Sequence, residues 1–136
     1  MKTYKLEENI KVFCIKASSF PDGIQKAHQK LHEIVPFSER RKYYGISHPV
    51  ETGEIEYKSA VSEIYDGELS SHSLEKFTIP KGNYLYKDVN DFVKNITQIG
   101  AAFKKLIADP QIDPKGFCLE WYFNETDCRC MVKTNP

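Results

Sequence analysis

A single α+β domain is the fold class that the 136-residue sequence predicts. Two segments carry apolar residues three and four positions apart, as in an amphipathic helix, and the other β-prone segments are short and separated by turns. The elements follow the order strand-helix-strand-strand twice, over about residues 8–66 and 74–134. We therefore expect a duplicated β-α-β-β unit, with one antiparallel sheet and two helices on one of its faces, the opposite face being left either to solvent or to a groove between the halves.

The first half begins with the β-prone residues 10–16, which predict a strand. A helix is expected over about residues 21–35, and Pro36 ends it. Residues 43–47 and 54–65 then predict a hairpin. The apolar positions that predict the helix are Ile24, Ala27, Leu31 and Ile34.

The second half follows a polar connector over residues 66–73. Residues 77–86 predict a strand that is broken or bulged at its Pro and Gly. A second amphipathic helix is expected over about 90–108, and a closing hairpin over 117–124 and 127–133. The apolar positions of this helix are Phe92, Ile96, Ile99, Phe103 and Leu106.

Composition narrows the class of partner. Lysine and arginine total 19 and aspartate and glutamate total 19, so the sequence favours neither direct nucleic-acid binding nor a polybasic membrane anchor. Since no apolar run approaches the roughly 20 residues of a membrane helix and the start is charged, we expect no membrane segment, no signal peptide and a cytoplasmic location.

No motif predicts a cofactor or a metal. The sequence has no phosphate-binding glycine loop and no G-x-S-x-G elbow, and we expect the four cysteines to be reduced thiols. His28 and His32 lie one helical turn apart, but we expect both on a solvated flank. Cys118 is a weak candidate nucleophile.

The closing hairpin contains the main candidate, Glu120. If Asn124 pairs with Asp127, Trp121 faces Cys130, and the apolar residues of both strands lie on the helix-covered side. Glu120 then lies on the other side, where two interpretations are open. It is either solvated and paired diagonally with Arg129, or partly desolvated in an aromatic cleft that attracts cations or tunes its pKa for proton transfer. Its expected neighbours on that face are Cys118, Tyr122, Arg129, Met131 and Lys133.

Tyrosines from four predicted strands are candidates for the walls of this cleft. Aromatic faces around an acid suit flat apolar or cationic ligands, although tyrosine is also an ordinary strand residue. The six positions are Tyr43, Tyr44, Tyr57, Tyr84, Tyr86 and Tyr122.

Several short segments together resemble the GyrI-like effector-binding domains, from about residue 8 to residue 134. This resemblance implies a duplicated strand-helix-strand-strand (SHS2) fold with a ligand groove between its halves. Some members of that family are fused to helix-turn-helix segments and sense multidrug-type compounds, and we expect no such segment here. The matching segments are Tyr44 to Pro49, Tyr57, Val61, Ile79 to Tyr84, Cys118 to Tyr122, and Met131 to Lys133.

The resemblance also implies a set of ligand-binding residues. The family's buried pocket glutamate matches Glu120, its neighbour two along the strand matches Tyr122, and Tyr44, Tyr57 and Tyr84 are looser matches. One departure is that relatives often begin the second helix with Gly-x-Tyr, where this chain has residues 88–92, so the pocket entrance is expected to differ.

These observations lead to three hypotheses. The first is a stand-alone domain, with a regulatory or drug-sequestering role, that binds a small hydrophobic or cationic aromatic ligand. The second comes from the resemblance, because some stand-alone members of that family hydrolyse reactive cyclopropane-bearing natural products. It is an enzyme of that kind, with Glu120 as a general base and Tyr122 or Tyr84 stabilising charge on the substrate. The third is an inhibitor that binds a protein partner through a sheet edge or the groove; the family that the chain resembles includes a gyrase inhibitor.

Overall fold

The computed structural model describes residues 2–135, which form eight strands and two helices. The strands are β1 (Lys2–Leu6), β2 (Ile10–Lys16), β3 (Tyr43–Pro49), β4 (Ile55–Ser62), β5 (Glu75–Ile79), β6 (Gly82–Val89), β7 (Cys118–Tyr122) and β8 (Cys128–Lys133). The helices are α1 (Ile24–Ile34) and α2 (Ile96–Ile107). The predicted α+β class is confirmed.

All eight strands form one antiparallel, curled sheet in the order β1-β6-β8-β7-β3-β4-β2-β5. β5 ends at Ile79 and β6 begins at Gly82, yet these two strands lie far apart in that order. Because a three-residue step spans at most about 10 Å, the sheet has to curl until β5 and β6 approach each other.

Two features of the sheet differ from the sequence prediction. The strand expected over 77–86 is broken at the predicted Pro80 and Gly82, because Pro80 has no N–H to donate and Gly82 takes a φ of +140°, but its two parts, β5 and β6, pair with different strands. β1 was not predicted. It pairs with β6 at one end of the strand order, while β5 pairs with β2 at the other.

Both helices pack on the same face of the sheet. α1 buries Ala27 and Leu31 against β2 and β4, and α2 packs on β6 and β8 through Ile99, Phe103 and Leu106. Each helix begins later than predicted, since the residues ahead of it form turns. Neither described helix is long and apolar enough to cross a bilayer.

The opposite face was expected to meet solvent or a groove, and this expectation is wrong. The curl of the sheet, with β1 and β5 at its ends, encloses a second apolar core on that side. An ion pair between the buried Lys58 and the exposed Glu75 lies at its margin. The buried members of this core are Val12, Cys14, Tyr44, Ile46, Ala60, Ile79, Tyr84, Leu119 and Met131.

The predicted register of the closing hairpin is wrong by one residue. Glu120, and not Trp121, lies opposite Cys130. The cause is the turn, in which Oδ1 of Asn124 accepts hydrogen bonds from the backbone N–H groups of Thr126 and Asp127. Because a one-residue slip reverses the face of every side chain on one strand relative to the other, Glu120 lies on the helix-covered side.

Candidate functional site

The candidate site lies at the centre of the sheet, where β7, β3 and β4 are neighbours. β7 contributes Glu120 and Tyr122, and β4 contributes Tyr57. Gly45 of β3 lies directly opposite Glu120 and separates the two outer strands. All four positions face the helix-covered side, because residues that alternate along a strand, and residues that pair across strands, share a face.

A pair of tyrosine hydroxyls converges on the buried carboxylate of Glu120, whose exposed fraction is 9%. The Tyr57 hydroxyl donates to Oε1 of Glu120 at 2.7 Å, and the Tyr122 hydroxyl donates to the same oxygen. The two hydroxyl oxygens are 3.5 Å apart. Oε1 therefore accepts two hydrogen bonds, as a buried carboxylate needs in order to remain charged.

Gly45 makes this arrangement possible. A Cβ atom at that position would collide with the Tyr57 hydroxyl and with Oε1 of Glu120. Gly45 lies within β3, where its missing side chain leaves the space that the hydrogen-bonded pair occupies.

His28 extends the network from helix α1. Its Nε2 atom lies 3.0 Å from the Tyr57 hydroxyl and its Nδ1 atom 2.5 Å from the hydroxyl of Ser59. The imidazole also meets the rings of Tyr57 and Tyr122 edge-on, with centroid distances of 5.7 Å. The expectation of a solvated flank is therefore wrong for His28, whereas His32 is exposed.

Burial sets the protonation state of the network. It raises the pKa of Glu120, against the opposing effect of the hydrogen bonds from Tyr122 and Tyr57. Burial, together with the nearby Glu120 charge, raises the pKa of both tyrosines well above the usual range, so both are neutral donors. Burial, and secondarily His32, lowers the pKa of His28 to about 4, so its imidazole is neutral near pH 7.

An open cavity of about 890 Å³ lies on this face, against α1 and the start of α2. Its walls come from α1, from residues 37–43, from residues 92–96 and from the turn between β7 and β8. His28 and Tyr122 line it directly. Glu120 is not one of the described residues that line the cavity. Its carboxylate lies immediately behind the hydroxyl of Tyr122.

The cavity walls are rich in aromatic rings. Phe92 contacts Tyr122 with ring centroids 5.2 Å apart, and Phe37 stacks on Tyr43 at 5.6 Å. Phe37 is 70% exposed, so an apolar surface remains open at the mouth of the cavity.

The structure brings together three of the five predicted ligand-binding residues, namely Glu120, Tyr122 and Tyr57. Tyr44 and Tyr84 lie on the opposite face, within the second core. Tyr84 is fully buried and its hydroxyl donates to the backbone oxygen of Pro80 at 2.6 Å. They therefore cannot touch a ligand that is bound beside Glu120.

The remaining candidates from the sequence do not form a reactive centre. Burial raises the pKa of the Cys118 thiol to about 11, with a smaller contribution from the Glu120 charge, so the thiol stays protonated. Arg129 pairs with Asp88 on the opposite face and does not contact Glu120. Among residues 2–135, no three His, Cys, Asp or Glu side chains are placed to hold a metal ion.

Comparison with solved structures identifies the fold. An integron cassette protein from the mobile metagenome of Vibrio cholerae superimposes with a TM-score of 0.75 at 12% identity, over 98% of this chain and 95% of that chain. A protein named SAV2435, solved with bound tetraphenylphosphonium, gives a TM-score of 0.74 at 13% identity, over 98% and 93% of the two chains. A hydrolase from Listeria innocua gives 0.57 at 9% identity, over 98% and 90%.

At these identities the likeness shows the fold alone, a curled sheet shared with proteins of which one binds a cationic aromatic compound. No protein-family model matches the sequence, and no curated protein sequence matches it significantly.

Sequence reasoning missed His28, Ser59 and Gly45 as parts of the site. Ser59 shares a face with Tyr57 by strand alternation, and His28 lies one turn before Leu31 on the buried side of α1. Those spacings can be read from the sequence, but the packing of α1 over β4, which brings His28 to Ser59 and Tyr57, cannot.

Proposed function

We propose that this chain is a small-molecule-binding domain that holds a hydrophobic or cationic aromatic compound in the cavity. Glu120 would supply the negative charge behind the cavity wall. The observation that carries the proposal is the position of this buried carboxylate, one hydroxyl group behind a cavity lined by the rings of Tyr122, Phe92 and Tyr43.

The charges around the cavity favour a cation. Arg41 is the single Lys or Arg among the described lining residues, and Glu68 binds its guanidinium through two hydrogen bonds of 2.9 and 2.7 Å. Glu39 and Glu125 also line the cavity. The negative charge of Glu120 is therefore not balanced by a free cationic side chain in the described lining, and aromatic faces add cation–π attraction.

We further propose that the chain is an internal duplication of the GyrI-like type. Exchanging β1 for β5, β2 for β6, β3 for β7 and β4 for β8 reproduces the strand order read from the opposite end. Each half would then comprise strand-strand-helix-strand-strand. This unit is one strand longer than the unit expected from sequence, with the first strand of each half paired to the other half. The cavity lies over the junction of β7 and β3, where the halves would meet.

The neighbour SAV2435 supports the ligand class, since it was solved with tetraphenylphosphonium. A regulatory or drug-sequestering role would follow from binding such compounds without altering them. The size of the cavity is compatible with this ligand class, because small-molecule sites occupy about 300–1,000 Å³.

The test compares tetraphenylphosphonium with tetraphenylborate, two ions of similar shape and opposite charge, by calorimetric titration. We expect the wild-type protein to prefer the cation. Glu120→Gln should weaken cation binding by roughly 2 to 3 kcal/mol, the interaction of unit charges 6–8 Å apart at an effective dielectric constant of about 20. This corresponds to about a 30- to 150-fold increase in Kd.

The matched control is Asp88→Asn, which removes one carboxylate from the opposite face, where Asp88 pairs with Arg129. Its affinity for tetraphenylphosphonium should equal that of the wild type. Equal affinities for Glu120→Gln and the wild type would remove the anchor role of Glu120. Absence of binding by the wild type would overturn the proposal itself.

A second candidate function is hydrolysis of reactive cyclopropane-bearing compounds. The raised pKa of Glu120 favours it, because a general base works best when its pKa is near the operating pH. Tyr122 would stabilise charge on the substrate, whereas Tyr84 is on the wrong face for that role. Mass analysis of such compounds after incubation with the protein distinguishes the two functions, because only hydrolysis adds the mass of water to the compound. If Glu120 is the general base, the wild type should form this product and Glu120→Gln should not.

A further inference from the structure

Four side chains from β4, α1 and β7 form a continuous hydrogen-bonded series. In order, the series runs from Ser59 through His28 and Tyr57 to Glu120. Tyr122 joins at the last position. Since each hydroxyl has one hydrogen and a neutral imidazole has one N–H, the direction of each bond can be derived from the number of hydrogens available.

The derivation starts from ionised Glu120. Its Oε1 lies 2.7 Å from the Tyr57 oxygen, and two oxygens at that distance need a hydrogen between them, so Tyr57 donates to the carboxylate. The Tyr57 oxygen can then only accept from His28, 3.0 Å away, which places the hydrogen on Nε2. Nδ1 of His28 is left as an acceptor for the hydroxyl of Ser59.

The surroundings of His28 favour a neutral ring. The titratable groups facing it are His32 from its own helix, Tyr57 from β4, and Tyr122 from β7, with Glu120 behind the two tyrosines. Burial lowers the pKa of His28 to about 4, so the single N–H required by the derivation is the state present near pH 7.

We propose that His28 is a positioning residue whose Nε2–H group holds the Tyr57 hydrogen in the bond to Glu120 and so favours the ionised form of the carboxylate. Every hydrogen of the series then points away from the cavity and towards the carboxylate. The wall formed by His28 and Tyr122 offers ring faces and an oxygen lone pair, without a donor for an anion. Building on the proposed function, this selects ligands that carry a positive charge or donate hydrogen bonds.

The first test measures the tautomer of His28 in the ligand-free protein, by ¹⁵N–¹H correlation spectra of the imidazole at pH 7.5. The proposal requires a neutral ring with the hydrogen on Nε2. A ring with the hydrogen on Nδ1, or an imidazolium, at a pH where Glu120 is ionised would overturn it. This test uses the wild-type protein, so it does not depend on whether a variant folds.

The second test follows the carboxyl ¹³C resonance of Glu120 against pH. Because hydrogen bonds in series strengthen one another, His28→Ala should move the titration midpoint upward by about half a pH unit. His28→Gln, whose side-chain amide can donate to Tyr57, should restore most of the shift. His32→Ala, which removes an imidazole from the same helix without a hydrogen bond to Tyr57 in the described residues, is the matched control.

Identical midpoints for the wild type and His28→Ala would overturn the positioning role. So would a midpoint that moves equally in His28→Ala and His28→Gln, because it would then reflect loss of ring packing. Both tests use the ligand-free protein, so their outcomes do not depend on tetraphenylphosphonium binding. That binding tests the proposed function separately.

Discussion

On the helix-covered face, Tyr57 and Tyr122 direct their hydroxyls to one buried carboxylate, whereas on the opposite face Tyr44 and Tyr84 pack among apolar side chains. All four rings belong to strands of one sheet. Tyr122 lines an open cavity and Tyr57 lies buried behind it, with both hydroxyls bound to Glu120, while the second pair belongs to a closed core. The difference teaches that strand alternation and register, and not residue type, place each tyrosine at the candidate site or in the second core.

The two faces also differ in what a charge contributes. Glu120 is buried beside the cavity, and its burial raises its pKa, which means that burial destabilises the charged form. The opposite face has an apolar interior, and its charges lie at its margins, as in the pairs Lys58–Glu75 and Arg129–Asp88. The helix-covered face thus gives up stability at the position where we propose that it binds a ligand.

The largest expected effect comes from filling the space at Gly45. In Gly45→Ala, the new Cβ collides with the Tyr57 hydroxyl and with Glu120, so we expect a loss of about 1–3 kcal/mol in the free energy of unfolding and loss of ligand binding. Gly100→Ala is the matched control, since its Cβ meets nothing within 4 Å. In helix α2 it should raise stability by about 0.5–1 kcal/mol. Urea denaturation measures the stability of both variants. Equal effects of the two substitutions would contradict the claim that the missing side chain of Gly45 makes room for Tyr57 and Glu120.

The next effect concerns the charge of Glu120 and depends on pH. Because the folded-state pKa is raised, the stabilising contribution of this group is fully present below its unfolded value of about 4.3 and is lost as pH rises through the folded pKa. Glu120→Gln does not titrate, so its stability relative to the wild type should increase with pH. The gain is about 1.4 kcal/mol for every tenfold difference in proton affinity between the folded and unfolded states.

Urea denaturation of both proteins at several pH values between 4 and 8 measures this difference. If the free energy of unfolding of Glu120→Gln minus that of the wild type stays constant across the range, or decreases as pH rises, Glu120 is not destabilised by burial in its charged form.

The smallest effect separates the two pairs of tyrosines directly. Tyr84→Phe removes one buried hydrogen bond and Tyr57→Phe removes two, those with Glu120 and His28, so each substitution should lower the free energy of unfolding by about 1 kcal/mol for every bond lost. Only Tyr57→Phe should move the titration of Glu120 to higher pH, because it removes a donor to the carboxylate. Carboxyl ¹³C spectra against pH measure that titration. A matching shift in Tyr84→Phe would mean that the two faces are coupled, against the separation described above.

Part of the site could be predicted because strand alternation does not depend on register. Cys118, Glu120 and Tyr122 share a face whichever residue lies opposite them, and the resemblance to GyrI-like domains indicated the same glutamate. Whether that face is the helix-covered one depends on the length of the turn between β7 and β8. The sequence predicts a turn of two residues, and the structure has three, residues 124–126. The slip exchanged Arg129 and Met131 for Cys130 as the cross-strand neighbours of Glu120.

The sequence by itself determined the positions of both helices, most of the strands and the α+β class, because apolar periodicity and turn residues act over a few neighbouring positions. Only the tertiary structure decided that β5 and β6 separate, that the sheet curls around a second core, and that His28 packs over Tyr57. The physical reason is that pairing, curl and helix packing join residues far apart in the chain, where no local pattern records which partner is chosen.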